Sequence, residues 1–244
     1  MKIKYKPEEN EIFHIHTFRC KHAEQVRDEA YVTKAIELGA KRIVFTDHAP
    51  FPGDIFKNRM SIGELPEYIS YINEIREKYI NKIEILCGLE VEYLPSFDSY
   101  IGELRDMPGI DVMVLGQHFY EHEQGVYSFT DDDKSMEYTG CFKAMIEGIK
   151  TNYFDVVAHP DRAFRRRKKI DSEEKKIIKE FVAEVIANKE IYLEKNYTSM
   201  QRKNQYKEDF WEMIPNQIGI LYGYDAHSID EMEEIWNKVY RKEK

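Results

Sequence analysis

Short apolar, β-branched runs recur along the whole chain, separated by longer stretches in which apolar residues return at helical spacing. The runs are Glu11–His16, Arg42–His48, Lys82–Tyr93, Asp111–Phe119, Phe154–Asp161, Glu190–Asn196 and Ile218–His227. Runs of this kind suit strands buried on both faces, and their alternation with helices predicts parallel pairing. Between them, Glu24–Leu38 stops at Gly39, a residue suited to a left-handed helix end. Residues 62–79 carry Leu65, Ile69, Ile72 and Ile75 on one helical face. Asp171-Ser172-Glu173-Glu174 resembles a capping box, and the helix it opens has the stripe Ile177/Ile178, Phe181/Val182, Val185/Ile186. Glu208–Ile214 and Ile229–Arg241 read as two further helices. Seven strands with intervening helices, and no linker or internal repeat, predict one domain over residues 1–244. The expected fold is α/β, a (β/α) barrel one unit short of the usual eight; an open doubly wound sheet is the alternative.

Composition narrows the picture. At 244 residues, 42% hydrophobic and 33% charged, the chain is long enough to bury about 75% of its unfolded surface. No apolar run approaches the ~18 residues of a membrane helix; the longest resemble Val112–Leu115. The segment Met1–Pro7 has no apolar stretch behind it, which predicts no secretory signal. Three cysteines rule out a disulfide framework and favour a reducing, cytoplasmic setting. The net charge, 36 − 45 = −9, argues against a general nucleic-acid binder while leaving room for a local basic pocket.

The eight histidines change the picture most. In a (β/α) barrel the working residues sit at the C-terminal ends of the strands, and that is where the histidines fall. The first run ends in His14-Ile15-His16, whose alternation places both imidazoles on one face, and His22 follows. The second ends in Thr46-Asp47-His48, and the third carries Glu90 and Glu92. The fourth ends in Gln117-His118, the fifth in His159-Pro160-Asp161, and the seventh in Asp225-Ala226-His227. Seven His with Asp225 and Glu90 make nine candidate ligands, more than the four one tetrahedral ion needs, so a cluster of two or three metals is expected. Imidazole and carboxylate donors suit Zn, Mn or Fe. His122, in a polar run, reads as a solvated loop residue, and Cys87 and Cys141 as core. Cys20 lies between candidate ligands, with packing the preferred role.

The motifs His14-x-His16, Thr46-Asp47-His48, Gly88-Leu89-Glu90, Gln117-His118, His159-Pro160-Asp161 and Asp225-x-His227 resemble, in order, those of the PHP (polymerase and histidinol phosphatase) family. The segments 16–23, 47–52, 59–61 and 88–93 are similar to its histidinol-phosphate phosphatase branch. The resemblance implies a distorted (β/α)7 barrel with three metals. One would take His14, His16, Glu90 and Asp225; a second Glu90, His118 and His159; a third His22, His48 and His227. Glu90 would bridge; Glu92 lies on the same face without a matching role in the family, and its position places it behind the ligands. The activity implied is metal-assisted hydrolysis of a small phosphate monoester, most of all L-histidinol phosphate, in histidine biosynthesis.

Such a substrate needs fixed cations. The run Arg162, Arg165, Arg166, Arg167, Lys168, Lys169 follows His159, and Arg165 is the expected inward residue, by its spacing and by similarity to the branch. Arg202 is a second candidate. Glu194 and Asn196, on one face of the sixth strand, with Phe119, Tyr120, Phe51 and Arg59, are the expected substrate contacts. Asp161, His227 or a metal-bound water could protonate the leaving group. A nuclease is disfavoured by the charge, and a phosphotyrosine phosphatase by the context of 16–23 and 59–61. A non-enzymatic metal-binding or sensing protein would show filled coordination shells, without room for substrate, and no inward Arg. An amidohydrolase with a bridging modified lysine fits poorly, because Lys195 alternates away from Glu194 and Asn196. The expected partner is a small molecule, neither nucleic acid nor membrane.

Overall fold

The computed structural model describes residues 4–240. The start of the segment read as lacking a signal, and Arg241 at the expected end of the last helix, lie outside the described residues. The elements run β1 (Glu11–Ile15), α1 (Asp28–Leu38), β2 (Arg42–His48), α2 (Leu65–Tyr79), β3 (Glu84–Val91), α3 (Asp98–Asp106), β4 (Val112–Leu115), β5 (Glu121–Glu123) and β6 (Val126–Tyr127). They continue with α4 (Glu137–Lys150), β7 (Val156–Val157), α5 (Glu174–Ala187), β8 (Tyr192–Asn196), α6 (Tyr197–Gln201), α7 (Glu208–Trp211), β9 (Ile220–Gly223) and α8 (Ile229–Tyr240). Seven strands form one sheet in chain order, β1-β2-β3-β4-β7-β8-β9, the order of a (β/α)7 barrel, while β5 and β6 make a separate antiparallel ribbon. The pairs β1–β2, β2–β3, β4–β7 and β7–β8 are parallel.

Every expected strand is present, and most are shorter than their apolar runs. The run 111–119 contracts to Val112–Leu115 because its polar end leaves the ladder to make other bonds. Gln117 there accepts the Tyr93 N–H at 3.0 Å and donates to the carbonyl of Phe119. Gly39, at φ +89°, ends α1 as expected. The capping box is present too: the Asp171 N–H donates to Glu174 Oε2 at 2.6 Å, and Asp171 Oδ1 accepts the Glu174 N–H at 2.9 Å. Helices α3, α4 and α6 and the β5–β6 ribbon lie outside the predicted elements. In α4 the helical pattern is interrupted by glycines that close packing demands: a Cβ on Gly140 would fall 2.1 Å from the Tyr120 ring, and one on Gly148 3.0 Å from Tyr93.

The chain packs as two compact units, residues 1–90, 107–112 and 223–244, and residues 91–106 and 113–222. In the first, Ile12, Phe13, Ile15, Ile43, Val44 and Phe45 are wholly buried. After β9 the chain returns to β1: the Tyr224 N–H donates to Phe13 O at 2.8 Å, and Ile15 bridges Ala226 in parallel. In the second unit, α4, α5 and α7 meet around Phe142, Phe181 and Phe210, with Phe142 and Phe181 edge-to-face at 5.2 Å. Buried Asp155 accepts the Met113 N–H at 2.9 Å and pairs with Arg105 at 3.0 Å.

Candidate metal centre

In the first unit six of the nine candidate ligands come from the ends of β1, β2 and β3 and from the segment after β9, and His22 comes from the loop after β1. Alternation alone does not juxtapose His14 and His16. The β1–β2 register shifts between Phe13 and Ile15, and His14 adopts φ +72°. That bulge turns His14 so that its Nε2 lies 3.1 Å from His16 Nε2. Asp225, at φ +52°, is also left-handed, a conformation that costs a non-glycine residue and collects at functional sites. Glu90 Oε2 stands 3.5 Å from His14 Nε2, 3.4 Å from His16 Nε2 and 3.0 Å from His48 Nδ1. Asp225 Oδ1 is 3.4 Å from His16 Nε2. His22, His48 and His227 form a second group whose ligand atoms all lie within 4.8 Å of one another.

Backbone carbonyls set the tautomers. His227 Nδ1 is 3.1 Å from Asp225 O, and His22 Nδ1 is 2.8 Å from Cys20 O. A carbonyl only accepts, so both Nδ1 atoms carry the proton and each Nε2 keeps its lone pair. Nε2 of His227 is buried and has no hydrogen-bond partner. Burial pushes the His227 imidazole down to about 2, reinforced by His16, with His22 and His48 adding to it, so it is neutral as a ligand must be. His16 differs: burial lowers it, but the carboxylates of Asp225, Asp47 and Glu90 raise it to about 9. Imidazoles gathered around shared carboxylates suit a divalent metal. Cys20, wholly buried, is within ligand distance of His16 and His227 as well as packed.

The second unit holds His118 and His159, ring centroids 5.1 Å apart. His118 Nδ1 is 3.0 Å from Oε1 of buried Glu92. His159 is left-handed at φ +34°, and its N–H donates to Glu194 Oε2 at 3.1 Å. Glu194 also accepts from Asn196, whose Oδ1 caps α6 through the Ser199 N–H at 2.8 Å and receives Arg162 Nη2 at 3.3 Å.

The other expected residues are placed as follows. Arg165 pairs with Oε1 of buried Glu137 at 2.7 Å, Arg166 with its Oε2 at 3.2 Å, and Arg167 with Glu174 and Asp171. Asp161 is wholly buried and accepts the Lys207 N–H at 2.8 Å; burial raises its carboxyl to about 6. Phe119 packs edge-on to Tyr127 and Phe129. Arg59 is buried, donates to Ala49 O at 3.0 Å and stacks near Phe51 and Phe56. Arg202 is exposed at the end of α6. His122 pairs with Asp131 at 2.8 Å near the surface.

One group was missed. Wholly buried Asp47 accepts from the Thr17 N–H and hydroxyl and faces His16 Nδ1 at 3.6 Å. Behind it Thr17 Oγ1 accepts from Arg19, which pairs with Asp28 at 2.6 Å. The Thr46-Asp47-His48 motif was the available signal, but strict alternation turned Asp47 away from its neighbours.

A family model described as the PHP domain matches residues 13–198. The histidinol-phosphatase of Bacillus subtilis is 27% identical over 149 residues, 58% of this chain and 56% of that protein. The chain thus spans little more than half the length of such curated relatives, 59% for one from Deinococcus radiodurans. Among solved structures, a Listeria monocytogenes protein assigned as a histidinol phosphatase superposes with a TM-score of 0.80 at 19% identity, covering 94% of this chain and 99% of that one. The histidinol phosphate phosphatase of Lactococcus lactis, complexed with zinc, L-histidinol and phosphate, gives 0.70 at 22%, covering 95% and 94%. These likenesses show the fold.

Proposed function

The chain belongs to the PHP domain family, and on that premise we propose that residues 1–244 act as a metal-dependent phosphatase of small phosphate monoesters. The proposed substrate is L-histidinol phosphate, and the proposed setting is cytoplasmic histidine biosynthesis. The observation that carries the reading is the convergence of His14, His16, Glu90 and Asp225, beside His22, His48 and His227, with Nδ1 of His22 and His227 on backbone carbonyls. Names shared by the curated relatives, and the ligands of the Lactococcus enzyme, support the substrate.

His14, His16, Glu90 and Asp225 would hold one ion, and His22, His48 and His227 another. His118 and His159 would contribute imidazoles to a third, with Zn, Mn or Fe as the metals. Glu90 would serve more than one ion, because three imidazoles already surround its Oε2. Bound divalent metal would lower the pKa of water from about 15.7 toward 7 and offset charge on the phosphoryl oxygens. Arg165, aimed by Glu137, would bind those oxygens through its planar fork. Arg202, Glu194, Asn196 and Phe119 would meet the rest of the substrate, and Arg59 would hold the 49–60 loop. Asp161 is buried under Lys207 and burial lowers the His227 imidazole, which supports water, of the three candidates, as the donor that would protonate the leaving alkoxide.

Steady-state hydrolysis on metal-loaded protein tests this. L-Histidinol phosphate should exceed phosphotyrosine peptide, thymidine 5′-phosphate aryl ester and single-stranded DNA by at least ~10-fold in kcat/KM, about 1.4 kcal/mol. Arg165→Ala should lose ~10²-fold, while Arg167→Ala stays near wild type. Equal turnover of DNA or phosphopeptide would move the chain to another branch of the family.

A further inference from the structure

Building on the proposed ligand set, we infer that Asp47 is a positioning residue that fixes the proton of His16 on Nδ1 and so presents Nε2 to the metal. The hydrogen bonds around Asp47 leave little freedom. Thr17 Oγ1 accepts from the Arg19 backbone N–H at 3.4 Å and from Arg19 Nη1 at 3.3 Å, and Arg19 is itself held by Asp28 at 2.6 and 2.9 Å. With its lone pairs so engaged, the Thr17 hydroxyl turns its proton to Asp47 Oδ2, which also takes the Thr17 N–H at 3.3 Å. Oδ2 is therefore fully committed as an acceptor. Oδ1 accepts the His48 N–H at 3.2 Å and stands 3.6 Å from His16 Nδ1, longer than a hydrogen bond. Yet Nδ1 is buried with no hydrogen-bond partner among the described residues, so Asp47 is the acceptor that a small closing movement on metal binding would give it.

The other edge of the His16 ring points into the ligand cluster. Its Nε2 is 3.1 Å from His14 Nε2 and 3.4 Å from both Glu90 Oε2 and Asp225 Oδ1. A proton on Nε2 would occupy the lone pair that ligation needs. Carboxylates that orient ligating imidazoles in this way typically contribute 10- to 100-fold in metal affinity. Asp47 and the Thr17–Arg19–Asp28 chain behind it are all wholly or almost wholly buried, so the arrangement is rigid. The same logic separates Asp from Asn. In Asp47→Asn the amide oxygen keeps the larger number of donors by staying on the two of Thr17, so the His48 N–H loses its acceptor and the NH2 turns toward His16. That donor makes His16 Nδ1 an acceptor and moves the ring proton to Nε2.

Zinc titration against a competing chromophoric chelator, with 15N chemical shifts of the His16 ring, tests the inference in the full chain. Zinc-loaded wild type should show a protonated Nδ1 and zinc on Nε2. Asp47→Asn should bind zinc about 10- to 100-fold more weakly, with the thermal midpoint of the metal-free protein little changed. Zinc on Nδ1 of His16 in the wild type, or equal zinc affinity of a folded Asp47→Asn, would overturn the inference and leave the phosphatase reading intact. If Asp47→Asn fails to fold, the wild-type ring shifts decide alone. No zinc uptake by the wild type would overturn the metal reading and this inference with it.

Discussion

At Asp161 burial outweighs the backbone N–H of Lys207 and holds the carboxyl above its ordinary range. Its folded pKa is raised from 3.8 to about 6, so between those values the folded state holds a proton that the unfolded state has lost. The stabilisation this provides is complete below pH 3.8 and disappears as pH rises through 6, a loss on the order of 3 kcal/mol. Asp161→Asn should therefore be neutral or stabilising at pH 7 while flattening the stability profile from pH 4 to 6. Urea denaturation across that range checks it, and unchanged kcat would confirm that the residue anchors Lys207. Residue types were legible in the sequence where chemistry selects them: the strand-end histidines, Glu90 and Asp225. The partners that orient them were not. The carbonyls of Cys20 and Asp225 act through backbone geometry, and Asp47 depends on a rotation that alternation does not foresee.

Elements explain why some boundaries were readable. The stop at Gly39 and the reciprocal bonds of Asp171 and Glu174 depend on local chemistry, and local sequence showed them. The bulge at His14 depends on β1 matching β2 while its end swings out, a property of the pair. Gly88 has a similar non-local origin. A Cβ there would sit 2.8 Å from Val112 O and 2.9 Å from Phe45 O, so β3 admits only glycine between its neighbours. Gly88→Ala must push backbone apart two residues before Glu90. It should cost roughly 1–3 kcal/mol in chemical denaturation and weaken metal retention in dialysis. A variant as stable as wild type would show that the strands can yield.

For the whole molecule, seven parallel strands were expected from hydrophobic runs, while α3, α4, α6 and the β5–β6 ribbon were not, because their patterns are short or broken by glycine and charge. Metal should act on global stability, since ions that bind only the folded chain add about 4 kcal/mol at a thousand times Kd. Chelation should therefore lower Tm on the order of 10 °C, and an unchanged Tm would argue against a site formed by folding. The return of the chain to β1 has a consequence during synthesis. Phe13 and Ile15 emerge early, yet their neighbours Tyr224 and Ala226 are made some two hundred residues later. Until then the nascent first strand carries an unpaired apolar edge, prone to stick to other chains. Ribosome-bound intermediates halted before residue 224 should crosslink to chaperones through this strand, and release once the last strand is out.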